Sequence, residues 1–159
     1  MLLKIALILL ILAIALGVAT IWRNGVSWSD PPGFWTRISY YTMRNHVETK
    51  PKHVLPELRP QAYSEPPKEL YDHVQKTILS LGWRIKGFDP VKRHVHALVT
   101  TPLLRFTDDF HVTVNPDSTL SIDSRSRVGR ADWGANLGHV LKFKRELSQL
   151  VKPRSDQGD

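Results

Sequence analysis

The residues of this 159-residue chain that are equipped for chemistry gather in two stretches. The first is histidine-rich: His94-x-His96 puts two imidazoles on one face of a strand, and His111 on a later strand supplies a third. Three imidazoles around an open position are the ligand set of a zinc site that activates water for hydrolysis or elimination. On a solvated sheet face the same residues are ordinary polar surface, and the spacing leaves both readings open. The second stretch runs Ser124-Arg125-Ser126-Arg127-Val128-Gly129-Arg130-Ala131-Asp132-Trp133-Gly134-Ala135-Asn136. It leaves a strand, turns on two glycines and enters a helix. Helix-start N–H groups and bidentate guanidiniums suit an anion, whether lipid phosphate, polysaccharide acid or carboxylate. Alternatively Arg125, Arg127 and Arg130 pair with Asp108, Asp109, Asp123 and Asp132 in a structural network, with Asp132 capping the helix.

Other chemistries are absent from the sequence. There is no cysteine, hence no disulfide, thiolate ligand or cysteine nucleophile. No Gly-x-Ser-x-Gly, phosphate loop or dinucleotide fingerprint occurs. Asp108 and Asp109 are adjacent, so on a strand they point to opposite faces and do not form a catalytic pair.

Elements that would carry these residues are legible. Pro67 with Glu69 and Asp72 opens a helix whose stripe is Leu70, Val74, Ile78 and Leu81, and Gly82 stops it. Four strands follow, over 83–88, 93–100, 106 or later to 115, and 119–127. Asn115-Pro116-Asp117-Ser118 joins the last two as a hairpin. A final helix runs from about Ala135 to Val151. The order helix, four strands, helix predicts an α+β domain: an antiparallel four-stranded sheet with two helices packed on one face. Parity turns Val95, Ala97, Val99, Phe110, Val112, Val114, Leu120 and Ile122 toward the helices. It turns His94, His96, His111, Thr113, Ser121, Asp123, Arg125 and Arg127 away from them.

The block at 124–136 resembles the signature of the bacterial and plastid family known as domain of unknown function 1499. Leu81-Gly82-Trp83, His96-Ala97 and Arg105-Phe106-Thr107-Asp108-Asp109 are similar to it as well, so the resemblance spans roughly 67–147. His139 stands where many relatives carry arginine. The resemblance implies a small membrane-associated or exported domain and brings no activity with it.

Upstream, Ile5 to Trp22 is uncharged for 18 residues between Lys4 and Arg23. That suits a membrane anchor over 1–22, since a bilayer core needs about 20 helical residues. The alternative is signal cleavage after Ala19. The short segment before Lys4 favours a cytoplasmic N-terminus, placing the rest in the periplasm of a bacterial inner membrane. Residues 23–66, dotted with prolines from Pro51 to Pro67, read as a tether in which Phe34-Trp35 and Tyr40-Tyr41 lie at the headgroups or against the domain. The domain occupies 67–152, and 153–159 is a disordered tail.

The net charge of +7 divides as +3 over residues 1–50, +3 over 51–100 and +1 over 101–159. A nucleic-acid reader would concentrate it on one surface, and none is expected as a partner. The expectation is a membrane-anchored extracytoplasmic domain that serves as a binding module of the cell envelope, with no activity assigned. Its anion or partner site is Arg105, Arg125, Arg127, Arg130, Asp132 and Asn136, and its partner an anionic lipid, envelope polymer or envelope protein. The alternatives are a zinc-dependent hydrolase or lyase on His94, His96 and His111, and a purely structural envelope protein.

Overall fold

The structure, a computed structural model, describes residues 1–101 and 105–154. The first helix, α1 (Leu2–Arg23), has 22 residues, is long and apolar enough to cross a membrane, and leaves nearly all its side chains exposed. Among the described residues, its contacts with the domain fall in its last turns. Gly17 lies against Trp133, whose ring would be 2.9 Å from a Cβ at that position. The Asn24 amide donates to the Trp133 carbonyl at 3.1 Å. Gly138, inside the last helix, comes so close that a Cβ there would sit 2.8 Å from the Asn24 carbonyl oxygen. Small residues at these two points let the span dock.

Next come α2 (Phe34–Met43) and a three-residue strand, β1 (His46–Glu48). A single 3-10 turn at Pro56–Leu58 leads to α3 (Pro67–Ser80). Strands β2 (Arg84–Asp89), β3 (His94–Thr100), β4 (Thr107–Val114) and β5 (Leu120–Ser126) then precede α4 (Ala135–Leu150). The sheet is antiparallel in the order β1-β5-β4-β3-β2. The helices α3 and α4 pack on one face. The eight residues that parity turns inward are all buried, joined by Leu70, Val74 and Ile78 from α3 and Leu137, Val140, Phe143 and Leu147 from α4. Trp83 meets Phe110 edge-on and stacks on Phe143, filling the space between the sheet and α4.

The expected four strands are five, because β1 adds to the open edge of β5 with Val47 opposite Ser124. Thr49 extends that pairing through its N–H to the Ile122 carbonyl at 2.9 Å. A three-residue alternation is too short to register as a period, yet Val47 is buried. The segment read as a tether likewise packs on the domain: Tyr40, Tyr41, Leu55, Leu58 and Tyr63 all join the core. Lys144 of α4 holds the 3-10 turn by donating to the carbonyls of Glu57 at 2.8 Å and Arg59 at 3.1 Å. Proline spacing describes backbone preference and says nothing of which apolar side chains find a surface. Phe34 and Trp35 remain exposed, while Tyr40 and Tyr41 take the second of the two expected settings, against the domain. Of the expected tail, Arg154 bonds through its N–H to the Ala62 carbonyl, and residues 155–159 lie outside the described residues.

Candidate functional site

The stretch from β5 to α4 is held from within. Asn136 is fully buried. Its side-chain amide donates to the Asn45 carbonyl at 3.0 Å, the Ser126 hydroxyl at 2.9 Å and the Asp132 carboxylate at 2.6 Å. Its carbonyl accepts from the Ser124 hydroxyl at 2.6 Å. Asp132 also accepts from the N–H groups of Gly134 at 2.8 Å and Asn136 at 3.2 Å, so it caps α4 at the start of the helix. Burial raises its pKa, opposed by those same donors. Gly134 begins α4 with φ of 80°, a left-handed conformation that glycine adopts without strain. Asn45 closes the loop from the other side, donating to the Gly129 carbonyl at 2.6 Å. Asp132 and Asn136 are therefore engaged inside the protein, and Asn45 and Ser124, which the sequence reading did not single out, share their network.

The arginines of the block point outward. Arg127 pairs bidentately with Asp109, Nε to Oδ2 and NH2 to Oδ1, both at 2.7 Å. Arg105, Arg125 and Arg130 are exposed and have no side-chain hydrogen bond or ion pair among the described residues. The other expected partners went elsewhere: Asp123 bonds His46 at 2.6 Å, and Asp108 turns toward α4. Register gathers the arginines at one end of the sheet, where β3 ends, β4 begins and β5 ends, with Thr100 opposite Thr107 and Asp108 opposite Ser126. The α1 docking point at Trp133 follows β5 at that same end.

The sheet face away from the helices brings the three expected histidines together. His94 Nε2 lies 3.1 Å from His111 Nδ1, and the His96 ring stacks on His111 with centroids 4.1 Å apart. His96 Nε2 bonds Asp109 Oδ1 at 2.6 Å. One ligand atom each from His96, Asp109 and His111 falls within 4.8 Å of the others. Burial lowers the pKa of His94 and of His111, with their histidine neighbours adding to the shift, so both favour the neutral form that a metal needs. Arg127, with His96, holds Asp109 well below the usual carboxylate range. His46, with its Asp123 partner, extends this face onto the strand that the sequence reading missed.

A second pair lies on the helix side. Asp108 is 1% exposed, and its Oδ2 is 3.7 Å from His139 Nδ1. Neither atom has a hydrogen-bond partner among the described residues. That separation is beyond hydrogen-bond reach, so burial governs both titrations. It pushes Asp108 up to about 6 and His139 down to about 4. A carboxyl raised in the folded state contributes stability that is full below its unfolded value of 3.8 and lost as pH rises through about 6. His139 runs the other way, its contribution present above 6.5 and lost as pH falls through about 4. Asp108→Asn removes the carboxyl's contribution alone. The variant is expected to be about 1–3 kcal/mol more stable than wild type at pH 8, with the gain disappearing below pH 4. Denaturant titrations at pH 4, 6 and 8 check this, and equal stability at pH 8 refutes it.

The family profile described as "Protein of unknown function (DUF1499)" matches residues 27–147. No curated protein matches the chain. The matched region begins ahead of α2 and ends within α4, taking in β1, the Asn45 lock and both histidine strands. On that match over most of its length, the chain belongs to the DUF1499 family.

Proposed function

We propose that this protein is a single-pass module of the bacterial inner membrane, anchored by α1 with its domain on the periplasmic side. In this reading it binds an anionic envelope component through Arg105, Arg125, Arg127 and Arg130. The supporting observation is topological: these arginines occupy the end of the sheet against which the close of α1 docks. Cations beside a membrane attract anionic headgroups and polymers, over a range of about 8–10 Å in physiological salt. Asp132 and Asn136 support this surface from inside instead of contacting the ligand.

Two measurements test the reading. A C-terminal alkaline phosphatase fusion is expected to be active, and an inactive fusion overturns the orientation. Wild type and an Arg105→Gln, Arg125→Gln, Arg130→Gln variant are purified from membranes and compared by mass spectrometry for proteins and lipids. The variant is expected to retain its melting temperature and lose at least about fivefold of a salt-sensitive anionic companion, roughly 1 kcal/mol of binding. Unchanged recovery refutes the site, and unchanged recovery with a lowered melting temperature supports a purely structural role.

The clustering of His94, His96 and His111 favours one second reading, a zinc-dependent hydrolase or lyase. Arg127 already occupies both oxygens of Asp109, so the imidazoles would hold the ion and Asp109 would orient His96. Zinc in that setting supplies an activated water. Metal analysis of the full chain in detergent, finding less than stoichiometric zinc after incubation with the ion, dismisses it.

A further inference from the structure

Where α1 leaves the domain there is a cleft of about 550 Å³ lined by four cations, Arg23, Arg84, Lys142 and Arg145. They come from four places in the chain: the last residue of α1, the first of β2, and successive turns of α4 on its exposed side. Among the described residues, none of the four makes a side-chain hydrogen bond or ion pair and no acidic side chain lines the cleft. His139 borders it with its side chain 14% exposed and Nδ1 unpartnered. Four like charges around one concavity repel each other unless an anion lies among them. A protein that needed them only for solubility would have no reason to set them around a hollow.

We propose that this cleft binds the phosphate of an anionic phospholipid headgroup. Arginine supplies bidentate donors for phosphate oxygens and lysine a point charge, and the volume suits a phosphate with its glycerol. The level of the site argues for a lipid over a free phosphate. Arg23 ends the span, and the exposed Trp22 before it marks the depth at which amphipathic rings meet headgroups. A lipid lying along α1 carries its phosphate into the cleft. The proposal rests on the reading that the domain works at a membrane surface, but the cleft shares no residue with the arginine surface proposed above.

The test uses the full chain in mixed micelles containing phosphatidylcholine and about one-fifth phosphatidylglycerol, with retained lipid read by native mass spectrometry. Three proteins are compared: wild type, a cleft variant (Arg84→Gln, Lys142→Gln, Arg145→Gln) and a block variant (Arg105→Gln, Arg125→Gln, Arg130→Gln). All six positions are exposed, so both variants are expected to melt with wild type. Wild type is expected to retain phosphatidylglycerol over phosphatidylcholine by at least about tenfold and the cleft variant to lose that preference, while the block variant reports any share held by the arginine surface. Preference kept by the cleft variant overturns the proposal. Loss in the block variant alone assigns lipid binding to the arginine surface, and loss in neither removes both sites from lipid binding. Displacement of phosphatidylglycerol by millimolar inorganic phosphate overturns the lipid assignment and leaves a free-phosphate site.

Discussion

Glu57→Ala is expected to destabilise the folded protein by about 3–5 kcal/mol, because it leaves a buried guanidinium without its counter-charge. Arg37, one turn into α2, is 1% exposed. Its Nε donates to the Asp30 carbonyl at 2.8 Å, NH2 to the Pro31 carbonyl at 2.8 Å and NH1 to the Tyr41 hydroxyl at 3.0 Å. Glu57 completes the set with two bonds at 2.6 and 3.1 Å. The Glu57 bond and charge raise the Arg37 pKa further above its ordinary value, so the cation cannot escape by losing its proton. Removing Glu57 therefore exposes the full desolvation penalty. Replacing both partners together with apolar residues, Arg37→Met with Glu57→Leu, is expected to cost much less, since no charge is then stranded. Urea denaturation of the full chain in detergent, followed by tryptophan fluorescence, compares the two. A single variant within about 1 kcal/mol of wild type would show that the pair is dispensable for joining α2 to the 3-10 turn.

The second large effect is at Asn136. Asn136→Ala is expected to cost about 3–5 kcal/mol, because its bonds serve groups that have nowhere else to turn. The Ser124 hydroxyl is buried and loses its acceptor, the Asn45 carbonyl loses a donor, and the Asp132 carboxylate loses the shortest of its three bonds. Each buried polar group left unmatched costs about 1–3 kcal/mol. Arg130→Gln in the same stretch is expected to change stability by no more than about 0.5 kcal/mol, since that side chain is exposed and unpartnered. Thermal melts of the two variants separate the internal part of the block from its outward part. Comparable losses for both would mean that the arginine carries the fold, and would count against a binding surface.

What the sequence specifies is set by the range of the interactions involved. The helix opening at Pro67 and closing at Gly82, and the hairpin at Asn115 to Ser118, rest on local backbone chemistry and appear where expected. Strand parity is equally local, and it put Phe110 and Val112 in the core and His94, His96 and His111 on the other face. It also separated Asp108 from Asp109. What each aspartate then met was beyond the sequence reading: Arg127 lies 18 residues from Asp109, and His139 faces Asp108 from a helix whose rotation depends on packing. The strand β1 was missed because three residues carry no measurable period, and the lock at Asn45 because its partners lie 84 to 91 residues away.

By itself the sequence determined the apolar span, the α+β order of elements, the sides of three strands and the capping role of Asp132, all consequences of side-chain period and local hydrogen bonding. It determined the amount of positive charge but spread it along the chain. The tertiary structure decided where that charge acts, because antiparallel pairing returns the ends of β3 and β5 and the starts of β2 and β4 to one edge, and α1 docks there. Arg23, Arg84, Lys142 and Arg145, separated by as many as 122 positions in a chain numbered 1 to 159, meet around one cleft. Coulomb interactions fall off with distance in space and take no account of distance along the chain.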